Sequence, residues 1–194
     1  GGTTDIAVIT MGCISISRSI RVAGNTLDEA IVRQIRRERD VIIGDKTGEY
    51  IKKQIGCSFL RDVELGLTVK GKHFITNMPV SIEVSSTEAY LAMRPHLETI
   101  SEAVRSVLEL TPPELSADIM ETGIRLTGGG ALLQGIDKMI EKKTGVKTIV
   151  SDDSLNCVAL GTGEALTHMD ILSYNGYVFK ARDEIGGLEP EKTE

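Results

Sequence analysis

A chain of 194 residues, 41% hydrophobic and 26% charged, is long enough to bury the core of one large domain or two lobes, and its composition is that of a globular protein. A net charge of −6 argues against a nucleic-acid surface, which needs a basic face, and no run approaches the ~18 apolar residues that a membrane span requires. The cysteines (Cys13, Cys57, Cys157) and histidines (His73, His96, His168) are widely scattered and lack CxxC spacing, which suits reduced thiols in a reducing compartment and provides no metal site.

The chain opens Gly1-Gly2-Thr3-Thr4, with neither Met nor a basic lead-in, so it does not read as a signal peptide; it reads as the middle of a motif. Asp5 to Thr10, Ile14 to Ser17 and Ile20 to Val22 are short β-rich runs, separated by Met11-Gly12-Cys13 and by Arg18-Ser19. Asn25 to Arg39 switches to helical spacing, with Leu27, Ala30, Ile31 and Ile35 on one face. Asn25 or Thr26 is the expected cap, with Asp28 and Glu29 in the first turn. Thr47 to Ile55 reads as a second helix, and 57–84 as strands around VELGLTV and VSIEV. Ser85 to Leu110 is a long amphipathic helix that Pro95 is expected to kink or divide. Another helix follows, with Thr111 as cap, Pro112 at the first position and Gly123 as its stop. IRLT is a strand, 131–145 a helix, VKTIVS a strand and 155–169 a helix, after which a polar tail loses periodicity.

Strands alternating with helices predict an α/β layered architecture, a mixed sheet flanked by helices. The expected division is one subdomain from 1–24 and 111–172, with parts of 25–56. A smaller inserted α+β subdomain with connecting helices covers 25–110, and 173–194 is a flexible tail.

Three stretches bear on chemistry. Gly128-Gly129-Gly130 sits between a strand and a helix, where glycine lets a ligand approach the backbone and a helix start offers free N–H groups. The same stretch suits a plain tight turn, and it lacks the GxGxxG and GxxxxGK fingerprints. Gly1-Gly2-Thr3-Thr4 supplies N–H and hydroxyl donors for phosphate oxygens, or simply a hairpin turn. Glu49 and Lys52 share a helix face and would hold ribose hydroxyls, or form a solvated ion pair worth less than about 1 kcal/mol.

Their order along the chain is more specific than any one of them. With AGNTLDEAI, GEYIKKQIG, TPPEL, LTGGGALLQGID and CVALGTG in sequence, residues 1 to about 172 resemble the actin-like ATPases (a ribonuclease H-like fold), and within them the bacterial rod-shape MreB/Mbl family. The resemblance implies the second lobe of a two-lobed protein that holds ATP with Mg2+. Gly1, Gly2 and Thr3 would hold the β and γ phosphates, Glu49 and Lys52 would lie toward the ribose and adenine, and Gly24 would be a further nucleotide-binding position. Gly128, Gly129, Gly130 and Ala131 would run along the adenosine and α-phosphate. It assigns no catalytic residue to these positions. The family's metal-linked Asp would precede residue 1, and Asn25 stands where the family carries Asp. ATPase activity is therefore expected of a full-length member, with this stretch alone inactive and binding ATP weakly.

The resemblance further implies homopolymer filaments on the cytoplasmic face of the membrane that work with the cell-wall elongation machinery to set rod shape. A chaperone-type ATPase or a sugar or acid kinase of the same fold is the alternative. Gly129→Val is expected to weaken nucleotide binding more than folding, because valine resists positive φ and would occupy ligand space.

Overall fold

The computed structural model describes residues 1–174; the expected flexible tail lies outside the described residues apart from its first two positions. The chain divides into two units after Cys157.

In the first unit, β1 (Thr4–Thr10) and β2 (Cys13–Ile20) form an antiparallel hairpin turned at Met11-Gly12, both with positive φ (51° and 77°), as a two-residue hairpin loop requires. The expected break at Arg18-Ser19 is absent. Arg18 faces Ile6 and Ser19 faces Asp5 in unbroken register, because polar side chains on an exposed face leave the backbone ladder intact. The irregularity falls instead on β1, between Val8 and Ile9.

Helix α1 (Gly24–Arg39) buries Leu27, Ala30, Ile31 and Ile35 as the spacing predicts. Ala23, not Asn25 or Thr26, occupies its cap position, and the Thr26 hydroxyl accepts from the Ala23 N–H at 3.4 Å. The cap thus sits two residues upstream of Asn25, leaving Asp28 and Glu29 beyond the first turn. A two-residue strand, β3 (Val41–Ile42), then leads into α2 (Asp45–Ile55). β3 joins β4 (Gly66–His73) and β5 (Pro79–Ser85) in an antiparallel sheet of order β3-β4-β5.

Helix α3 (Ser86–Leu110) is unbroken. Its start is a reciprocal box: the Ser85 hydroxyl accepts from the Glu88 N–H at 3.2 Å, and Glu88 accepts from the Ser85 N–H at 3.0 Å. Pro95 does not divide it: Pro95 and Leu91 are both exposed, so the carbonyl that Pro95 leaves without a donor lies on the solvent side. Thr111 closes α3, its hydroxyl donating to Val107 O at 2.8 Å, and Pro112 caps α4 (Pro113–Thr122). Gly123 stops α4 as expected.

β6 (Ile124–Leu126) and β7 (Thr148–Val150) pair in parallel, connected through a 3-10 turn (Gly129–Leu132) and α5 (Ile136–Thr144). The expected single helix over 131–145 is therefore split. Leu27 and Ile31 of α1, Ile51 of α2, Met93 and Leu97 of α3 and Ile140 of α5 belong to one continuous core, with α3 as its spine. α6 (Cys157–Thr167) starts at the end of this unit.

The second unit begins at Val158 and carries the rest of α6 and α7 (Met169–Tyr174). Val158, Leu160 and Leu166 are exposed there.

Candidate functional site

The first turn of α1 and the C-terminal half of α2 form one corner of the site. Gly48 lets the two helices approach: a Cβ there would stand 2.8 Å from Val32 Cγ2 and 3.0 Å from the Asp28 carbonyl oxygen. One turn further along α2, Lys52 turns back to α1. Its ammonium donates to the Gly24 carbonyl at 3.0 Å and to Asp28 Oδ2 at 2.9 Å. Asp28 Oδ1 is also 2.8 Å from Nζ in this ion pair, yet it has no aligned hydrogen-bond donor. Both side chains are largely buried, 15% exposed for Lys52 and 12% for Asp28. Asn25 N–H donates to Gly1 O at 3.1 Å, which holds the glycine-threonine turn against the same corner.

Glu49 and Lys52 do not pair with each other. Glu49 is exposed to solvent on its outer side and binds Lys53 at 2.6 Å, and that hydrogen bond lowers its carboxyl pKa. Asp28 is the residue that sequence reasoning missed. Its position near the helix start suggests a first-turn charge, but its place among Leu27, Ala30 and Ile31 puts it on the buried stripe, where a carboxylate needs a cation.

Burial raises the Asp28 pKa above its ordinary 3.8, against the opposing pull of Lys52. A raised acid pKa means that the folded state holds the proton longer, so this group's contribution to stability falls as pH rises from about 3.8 through the native value. The stability of the wild type relative to Asp28→Asn, measured by urea unfolding, is therefore expected to fall between pH 4 and pH 7. A relative stability that is flat or rises over that range would contradict the assignment.

The triple glycine is the second part. Gly128 holds φ +81° and ψ 171°, backbone that essentially only glycine adopts, and its N–H donates to Ser154 O at 2.6 Å. The positive φ expected at Gly129 belongs to Gly128 instead; a Cβ on Gly129 would make ordinary contact with Leu155 Cδ2 at 3.5 Å. A Cβ on Gly128 or Gly130 would meet nothing within 4 Å. No packing demand of the fold accounts for the missing side chains at those two positions. Ala131, by contrast, is buried. The loop is anchored just beyond α2, where Cys57 bridges Gln134 and the Ser58 N–H donates to Gln134 O at 2.9 Å.

Gly1, Gly2 and Thr3 are exposed, nothing lies within 4 Å of a Cβ on Gly2, and the Thr3 hydroxyl donates to Asp5 at 3.1 Å. The structure thus brings Gly1, Gly24 and Lys52 together, turns Glu49 to another partner, and ties Gly128–Ala131 to the end of α2 rather than to Lys52. Open glycine backbone, one fixed ammonium and a hydroxyl-bearing turn fit a nucleoside phosphate. Among the described residues, no group of three or more His, Cys, Asp or Glu could hold a metal ion. No described helix is long and apolar enough to cross a membrane.

A family model described as MreB/Mbl protein matches residues 1–174. The cell shape-determining protein Mbl of Bacillus subtilis (strain 168) is 42% identical over 172 residues, which are 89% of this chain and 52% of that protein. The chain thus spans about half the length of the curated relatives it matches. The crystal structure of MreB 5 of Spiroplasma citri bound to AMPPNP superposes with a TM-score of 0.83 at 40% identity, covering 91% of this chain and 53% of that one. A MamK double helical filament shares the fold, with a TM-score of 0.65 at 19% identity over 79% of this chain and 47% of that one.

Proposed function

We propose, since this chain belongs to the MreB/Mbl family of actin-like proteins, that it contributes one wall of an ATP site in a filament-forming protein that sets cell shape. The observation that carries this reading is the backbone at Gly128 and Gly130. One glycine holds backbone that other residues adopt only at a cost and both face open space, which makes sense if a ligand lies there. The likeness to a relative bound to AMPPNP supports the same ligand class.

In this reading Gly1, Gly2 and Thr3 receive phosphate oxygens through N–H and hydroxyl groups. Lys52 offers the donor left over from Gly24 and Asp28, and Glu49 is exposed enough to reach a sugar hydroxyl. Gly128 to Ala131 lie along the nucleoside. ATP, with Mg2+ held largely through phosphate oxygens and water, would supply the energy of phosphoanhydride hydrolysis. Hydrolysis, self-assembly into filaments, work with the wall-growth machinery and attachment to the cytoplasmic face of the membrane belong to the intact protein. The division into a nucleotide-side part (1–24 and 111–172) and an inserted part (25–110) is proposed with them.

The test is Gly130→Val in the full-length protein. Nothing lies within 4 Å of a Cβ there and φ is not positive, so the melting temperature should hold. ATP affinity by titration calorimetry is expected to fall at least tenfold, with ATP-dependent pelleting reduced alongside. Undiminished affinity in the folded variant would sink the reading.

A further inference from the structure

We propose that Asp28 is a positioning residue for nucleotide binding, which holds the Lys52 ammonium against the Gly24 carbonyl and away from Glu49. The proposal rests on the nucleotide reading above and deepens it. Lys52 has two carboxylates within its reach: Glu49, three residues earlier on the same helix, and Asp28 across the α1–α2 contact. Left to α2 alone, the flexible lysine stem would sample the outer face with Glu49, where i,i+3 pairs meet. In the folded protein the ammonium lies inward instead. It contacts both Asp28 oxygens, at 2.8 and 2.9 Å, and the Gly24 carbonyl at 3.0 Å, while Glu49 is taken by Lys53.

The surroundings are built around this placement. Gly48 permits the close helix approach that brings Asp28 into range, and a Cβ on Gly24 would stand only 3.3 Å from Nζ. Gly24 adjoins Asn25, whose N–H holds Gly1. One ammonium therefore fastens α2 to the start of α1, beside the turn read as the phosphate holder. Asp28 itself is buried among the core residues of α1, so it acts through Lys52 rather than on the ligand.

The sign of the expected effect separates positioning from bulk electrostatics. Removing a negative charge near an anionic ligand should tighten binding if charge alone matters; losing the lysine's fixed position should weaken it. In the full-length protein, Asp28→Asn is expected to raise the Kd for ATP about tenfold, the scale of one well-placed charge-assisted donor. The freed Lys52 should join Glu49, so the Glu49 carboxyl pKa followed by NMR should drop below its wild-type value. A Kd that is unchanged or tighter while Gly130→Val still weakens binding overturns the proposal and leaves the nucleotide reading standing. If neither variant alters ATP affinity, both fail. A weaker Kd with Glu49 unmoved also overturns it, since a loosened fold would account for that result. The near-isosteric asparagine limits unfolding, and a thermal melt of each variant identifies the folded samples.

Discussion

Replacing Lys52 with methionine is expected to cost the folded protein about 3 kcal/mol at pH 7, although a buried ion pair taken whole contributes little net stability. The asymmetry comes from what remains. Among the described residues, Lys52 supplies the one aligned hydrogen bond that Asp28 receives, and Asp28 Oδ1 lacks an aligned donor. Without the ammonium, the carboxylate is a buried charge with no counterion, and such orphans cost about 3–5 kcal/mol. The penalty has a ceiling because Asp28, already inclined to hold a proton, can neutralise itself. The loss should therefore be smaller at pH 5 than at pH 7, and Asp28→Asn combined with Lys52→Met should recover much of it. Urea unfolding of the single and double variants at both pH values measures this. A loss below about 1 kcal/mol at pH 7, or one that does not change with pH, would mean that water reaches the pair and screens it.

The second large effect is expected at Gly123, where alanine should cost about 3 kcal/mol or more. Two separate demands meet there. The residue holds φ 78° and ψ −179°, a region essentially reserved for glycine that costs about 1–3 kcal/mol to impose on another residue. An added Cβ would also stand 2.6 Å from the Lys147 carbonyl oxygen, which accepts the Ile124 N–H at 2.8 Å beside the first parallel rung between β6 and β7. Strain alone can be borne; here the clash displaces the acceptor that starts the pairing. Gly128 is the internal control, with similar dihedrals and open space around its Cβ. Gly128→Ala should cost only the strain, so the two melting temperatures should differ, at roughly 2–4 °C per kcal/mol for a domain of this size. Equal losses would remove the clash from the explanation.

These particulars show where sequence reasoning reached and where it stopped. The buried face of α1 was legible because Leu27, Ala30, Ile31 and Ile35 repeat at helical spacing whatever surrounds them. The actin-like architecture was legible through the order of its motifs, and the fold of the MreB/Mbl relatives agrees with it. The two-residue strand β3 was not, since it exists only through pairing with β4. The continuity of α3 through Pro95 depends on that turn facing solvent, which periodicity only hinted at. At the candidate site, spacing along α2 suggested Glu49 with Lys52. The partner that Lys52 takes comes from another helix, and a pairing that depends on Gly48 letting two helices touch leaves no mark on either segment alone.

The unbroken α3 also constrains how this part of the molecule can move. Along its 25 residues it packs against α1 and β5 and, elsewhere, against the β1–β2 hairpin and α5. A stiff rod shared by the hairpin, β5, α1 and α5 offers no loop about which one of them can swing past another, so displacement within this unit must proceed by these elements sliding along the helix surface, as shear, or by flexing of the helix itself. Flexing has one favoured place. Pro95 withholds a single rung of the helical ladder near the middle, on the water-facing side, and a rod missing one rung bends there first.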